Sequence, residues 1–207
     1  MTRRTGRPTR AEAVEIDRRI QAVAVESFVS NGFDGTTMEA VAAAAGVTRR
    51  TLYAKYRDKE ALFVAAVPLA LATSLSGIPL QVPDGSLDEV LRSLARQIIA
   101  RLVEPQAVKL RRFAMLESAR LAALDEPAGV HIYFDSIRAI ADVLAAHSEL
   151  GDVATEDLQA ASDLFVAMVA GGATLLADFG VYRTSEQEAR HIDAAVALFL
   201  HGVLPRG

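Results

Sequence analysis

Residues 36–59, TTMEAVAAAAGVTRRTLYAKYRDK, constrain the fold more than any other stretch of the chain. A threonine pair opens a short apolar run, glycine interrupts it at position 46, and Thr48 precedes a second run. Gly46 suits the left-handed conformation that closes a helix in a tight turn. Thr48 can accept a backbone N–H at the start of the next helix. Thr36 and Glu39 have the spacing of a capping box for the first of the two helices. Two short helices are expected, the second carrying Arg49 and Arg50 at its leading end. That is the layout of a helix-turn-helix, whose second helix enters a DNA major groove.

A third helix is needed to cover the apolar side of such a pair. Residues 11–30 supply it, because Ile16, Ile20, Val23 and Phe28 recur at helical spacing and Asn31-Gly32 provides the stop. Val41, Val47, Leu52 and Tyr56 are expected to pack against it, with Ala42 small enough for a close crossing. Arg49, Arg50, Thr51, Tyr53, Ala54 and Lys55 are then left on the outer surface. Arginine at the leading end can donate two hydrogen bonds to guanine N7 and O6. Thr37, Thr48, Tyr53, Lys55 and Lys59 suit contacts to the phosphate backbone, which position the protein without reading sequence. Arg3, Arg4, Arg7 and Arg10 are candidates for a basic arm reaching phosphates or a minor groove, or for a solvated terminus.

The charge balance fits this only when the chain is divided. The net charge is −4, yet residues 1–60 hold 11 Lys+Arg against 8 Asp+Glu, and residues 61–207 hold 11 against 18. Positive charge is concentrated where phosphate contact would need it. Hydrophobic residues make up 51% of the chain, ample for a core, and no strand-type alternation persists. Cysteine is absent, so disulfides and thiolate metal sites are excluded. The start, MTRRTGRPTR, has no apolar core of a secretory signal, and the apolar stretches at 61–72 and 164–177 fall short of a bilayer span. A cytoplasmic protein without membrane contact is expected.

The expected architecture is all-α, with about nine helices in two domains. Residues 1–60 form the helix-turn-helix domain and residues 61–207 a larger helical domain. A fourth helix starts near Asp58 with a kink at Pro68, and GIPLQVPDG at 77–85 is the clearest punctuation. Ser86 and Glu89 offer a capping box for a helix to about residue 103. Helices at 105–124, 126–148, 155–179 and 185–203 follow.

Phe28, Gly32-Phe33, Thr36-Thr37, Ala42, Gly46-Val47-Thr48, Thr51-Leu52-Tyr53, Tyr56 and Lys59-Glu60 closely resemble the TetR family of bacterial regulators. The resemblance covers residues 10–65. Lys55 departs from it, standing where an aromatic residue or histidine is common, and Tyr56 replaces a common phenylalanine. Residues 110–120, LRRFAMLESAR, resemble an AefR-like carboxy-terminal domain. The resemblance implies double-stranded DNA with a palindromic operator as partner, a homodimer, and a small-molecule effector bound by the larger domain. It implies a ligand-responsive repressor; an activator, and a helical ligand-binding protein that never touches DNA, stay open.

Residues beyond 60 carry softer signals. Phe113, Glu117, His131, Phe134, Arg138, Phe165 and Met168 are candidates for a pocket that would take a hydrophobic or amphipathic molecule. Aromatic and methionine residues at helical spacing also serve as plain core, and Glu117 can pair with Arg120. Ile192, Val196, Phe199 and Val203 line one face of the last helix, while Ala167 and Gly171 permit close helix approach. By resemblance these two helices join their dimer mates in a four-helix bundle, the alternative being completion of the protomer core. No hydrolase elbow, P-loop or zinc-protease motif is present. Neither catalysis nor a cofactor or metal is expected.

Overall fold

A computed structural model describes residues 10–76, 80–122, 131–150, 153, 155 and 157–203, with the side chains of 72–76 and 131–134 outside the description. Among the described residues there are ten α-helices and no strand. They are α1 (Arg10–Gly35), α2 (Met38–Ala44), α3 (Arg49–Lys55), α4 (Lys59–Ser76), α5 (Leu87–Leu102), α6 (Pro105–Leu116), α7 (Ser118–Leu121), α8 (His131–Glu149), α9 (Leu158–Asp178) and α10 (Ser185–Val203). By packing, the chain divides into two compact units, one of Met1–Leu71 with Phe113–Ala128 and one of Ala72–Arg112 with Gly129–Gly207.

Three local outcomes differ from the sequence expectation. The cap of α2 is Thr37, whose hydroxyl accepts from the Ala40 amide at 3.2 Å. Thr36 is buried instead, and its hydroxyl donates to the Gly32 carbonyl at 2.8 Å. The capping box therefore does not form, and Glu39 is free for other work. Second, the helix expected at 105–124 breaks at Glu117, whose φ/ψ of −97° and 17° end α6 and start α7. Third, α9 is, by length and composition, long and apolar enough to cross a membrane. Its Phe165, Val166, Val169, Ala170 and Ala173 are buried in a helical core, which accounts for the apolar content.

In the first unit an aromatic cluster forms the centre. Phe28 and Phe33 of α1, Phe63 of α4 and Phe113 of α6 lie with ring centroids 5.3–6.5 Å apart. All four are buried. Gly32, at φ 73°, turns the chain so that Phe28 and Phe33 stack on each other. Two cations lie over the Phe33 ring: Lys59 Nζ at 4.5 Å and the Arg120 guanidinium at 3.8 Å from its centroid. Lys59 also donates to the carbonyls of Phe33, Asp34 and Thr36, at 2.7, 3.3 and 2.9 Å, and so closes the end of α1. Pro68 lies inside α4, which runs through it to Ser76.

In the second unit, α9 packs against α5, α8 and α10, and α10 also packs on α5. Leu91, Leu94, Ile98 and Ile99 of α5 meet Ile140 and Leu144 of α8, Phe165 and Val169 of α9, and Val196 of α10. The expected Ser86–Glu89 capping box starts α5. Arg111 holds Asp178 through two hydrogen bonds, at 2.9 and 3.1 Å, and reaches the Leu102 carbonyl at 2.9 Å. Arg112 donates to the Ala177 carbonyl at 2.7 Å. The second half of α6 is thus tied to the last turn of α9 and to the end of α5.

Replacing Phe63 by alanine removes contacts to Phe28, Phe33 and Phe113 together, and should lower unfolding free energy by about 3–5 kcal/mol. Denaturant unfolding followed by circular dichroism reads this, and a loss under about 1 kcal/mol would mean that the cluster collapses around the gap.

Candidate nucleic-acid interface

The turn between α2 and α3 is built by backbone hydrogen bonds that only a left-handed residue permits. Gly46, at φ 63°, lets its own N–H reach the Ala43 carbonyl at 3.1 Å and the Val47 N–H reach Ala42 at 3.0 Å. The next residue but one starts α3. Thr48 accepts from the Thr51 amide at 3.1 Å, and the two threonine hydroxyls lie 2.9 Å apart.

Two residues fix which face of α3 is hidden. Leu52 is fully buried, and Tyr56, which ends the helix, is buried with its phenol turned to α1. The Tyr56 hydroxyl donates to Asp17 at 2.9 Å and accepts from the Gln21 amide at 3.0 Å. Burial first, and then the hydrogen bond to Asp17, push its pKa up to about 12. Asp17 also receives the Lys55 ammonium at 3.0 Å.

With that face fixed, the outer face follows. Thr37, Thr48, Arg49, Arg50, Tyr53, Ala54 and Lys55 are exposed, and Thr51 and Lys59 are half-buried. The side chain of Arg49 is 69% exposed and forms an ion pair with Glu39 at 3.0 Å. Thus the structure brings the base-reading candidates together on one short helix. The two lysines differ from them. Lys55 is tied to Asp17, and all three Lys59 donors meet backbone carbonyls, so its charge closes α1. Arg3, Arg4 and Arg7 lie outside the described residues. Sequence reasoning missed Asp17 and the Glu39–Arg49 pair; Asp17 is separated from Tyr56 by so much chain that no periodic pattern links them.

The pocket candidates belong to both compact units. Phe113 is part of the aromatic cluster. Glu117 pairs with Arg120 at 3.1 Å, and Arg120 also reaches Glu60 at 3.0 Å. Arg138 is exposed and faces Asp135 at 3.4 Å. Phe165 is fully buried against Phe199, with centroids 4.9 Å apart, and Met168 packs against the same core. The side chains of His131 and Phe134 lie outside the described residues.

The residues expected to pair two protomers fall into two groups. Ile192, Val196, Phe199 and Val203 turn inward and complete the core of their own protomer. Ala167 and Gly171 stand on an exposed face of α9, which also carries Leu164 and Leu175, both 61% exposed, while α10 exposes Leu198. Both helices thus carry apolar residues on their buried and on their exposed sides.

Comparison with known proteins agrees with this geometry. The sequence model for bacterial regulatory proteins of the tetR family matches residues 20–66. That for the AefR-like transcriptional repressor C-terminal domain matches residues 89–202. The chain is similar to the HTH-type transcriptional regulator AcrR of Shigella flexneri, 32% identical over 107 residues, which are 47% of this chain and 50% of that protein. The chain spans about half the length of the curated relatives it matches. Among solved structures, a TetR-family transcriptional regulator from Mesorhizobium loti superposes with a TM-score of 0.81 at 27% identity, over 96% of this chain and all of that one. The flavonoid-responsive regulator FrrA gives 0.75 at 30% identity, over 94% and 100%. With its helix-turn-helix and more than half its length matched, the chain belongs to the TetR family of bacterial transcriptional regulators.

Proposed function

We propose that this regulator is a ligand-responsive repressor that binds a palindromic operator as a homodimer. Residues 1–60 would read DNA, and residues 61–207 would take the effector and pair the protomers in the cytoplasm. The observation that carries the reading is the two-sidedness of α3. Leu52 is buried and Tyr56 is bonded to Asp17 and Gln21 of α1, while Arg49, Arg50 and Tyr53 face solvent. Such a helix offers guanidinium donors to base edges and hydroxyls to phosphates.

Pairing is supported by the outer face of α9 and α10. Leu164, Leu175 and Leu198 are large apolar side chains left exposed beside the small Ala167 and Gly171. Two-fold pairing through that face would present two α3 helices to half-sites separated by about 34–36 Å or more. The effector class is supported by similarity to FrrA, whose name records a response to flavonoids, and by the apolar make-up of the second unit. A hydrophobic or amphipathic small molecule fits both. It would lower DNA affinity by preferring a conformation with unsuitable spacing of the reading heads.

The operator can be recovered by selecting random duplexes on the purified protein. Arg49→Ala and Arg50→Ala should each weaken binding to the selected site by about 1–3 kcal/mol, with little effect on thermal unfolding. Fluorescence anisotropy measures this, and unchanged binding by the double variant would favour a ligand-binding protein that does not read DNA. Separately, Leu175→Asp with Leu198→Asp should convert a dimer into monomers in analytical ultracentrifugation. A double variant that stays dimeric would move the pairing face elsewhere.

Tyr56 supplies a pH signature for the anchoring of α3. Its proton is held more tightly in the folded chain than in the unfolded one, where the ordinary value is 10.0. The stabilisation is therefore complete below pH 10.0 and declines as the pH rises to about 12. Tyr56→Phe should flatten this decline and remove the latest tyrosinate absorbance step; persistence of both would refute the Asp17–Tyr56 anchor.

A further inference from the structure

Glu39 and Arg49 come from different helices of the reading head, and their Oε1 and Nη2 atoms lie 3.0 Å apart. Both side chains are substantially exposed, at 42% and 69%. Glu39 takes no part in capping α2, since Thr37 does that alone. Its carboxylate is purely an acceptor and repels phosphate, so it is not itself a backbone contact for DNA.

We propose that Glu39 is a positioning residue for base reading, holding Arg49 at one nitrogen so that its remaining donors meet a guanine edge. This rests on the DNA-reading function proposed above. A guanidinium has five N–H donors in a fixed fork, and one carboxylate oxygen leaves a two-donor edge for N7 and O6. An exposed ion pair adds little to fold stability. What it restricts is the freedom of a long side chain, which otherwise has to be ordered when DNA binds. The negative charge also sets Arg49 against indiscriminate phosphate contact, so sequence discrimination increases at the expense of general affinity.

The test measures binding of the intact wild type, Glu39→Gln, Glu39→Ala, Arg49→Ala and the Glu39→Gln/Arg49→Ala double variant to the selected operator. Each base pair of that operator is substituted in turn, with random duplex as control. Both Glu39 variants should lose discrimination by about fivefold or more at the base pair that Arg49→Ala affects. Their affinity for random duplex should be unchanged or higher. In the Arg49→Ala background, Glu39→Gln should add nothing. The proposal is overturned if discrimination survives in both Glu39 variants, if they act at a different base pair, or if the effect persists without Arg49. A wild type that selects no sequence brings down the DNA-reading function together with this inference. Selective wild type with silent Glu39 variants removes the positioning role alone.

Discussion

A helix of seven residues, such as α3, cannot hold itself together in water, because the cost of nucleation exceeds what so few hydrogen bonds return. Its order has to be imposed from outside. Thr48 and Gly46 define where it starts, and Leu52 gives it a buried side. The Tyr56 phenol between Asp17 and Gln21 fixes its far end to α1. The base reading proposed for α3 would depend on that external order, since hydrogen bonds to a groove edge require donors in a fixed position. The short helix is therefore as rigid as its attachment to α1, and α1 is as rigid as the aromatic cluster beneath it.

That cluster explains the placement of several charges. Phe33 sits at the end of α1, where backbone carbonyls lack helical partners. Lys59 donates to two of them, at Phe33 and Asp34, and to the Thr36 carbonyl just beyond, and lies over the ring as well. Arg120 covers the same ring and joins Glu60 to Glu117. These cations raise the positive count near the reading head, yet their donors are directed at the protein's own groups. Counting basic residues thus overstates the positive charge that this unit directs at solvent.

The local rules were legible where one residue type answers one geometric need. Gly46, Thr48 and the Ser86–Glu89 box came out as the sequence implies, because turn and cap chemistry is decided within a few residues. The Thr36–Glu39 box failed because two adjacent threonines compete for one position, and burial of Thr36 decides between them. No spacing rule contains that information. The break at Glu117 was likewise illegible, since nothing in LRRFAMLESAR forbids a continuous helix. The place of Phe113 among the phenylalanines of α1 and α4 is a tertiary fact, and a helical apolar stripe reads the same for pocket and core.

The same limit governs α9 and α10, and it carries a physical consequence. α9 is apolar on both sides: Phe165, Val169 and Ala173 face the core, while Leu164, Ala167, Gly171 and Leu175 face out. Apart from Gln159 and Asp163 in its first two turns, such a helix presents little polarity to water, so periodicity cannot indicate which stripe is internal. Once the inward stripe is known, the outward one acquires meaning. Large leucines flanking small alanine and glycine positions allow another helix to approach closely and interdigitate. Leu198 extends the patch onto α10, a helix whose own core side is already satisfied by Ile192, Val196 and Phe199. Ile192, Val196, Phe199 and Val203 hold the protomer together, which leaves the opposite side of the same two helices exposed.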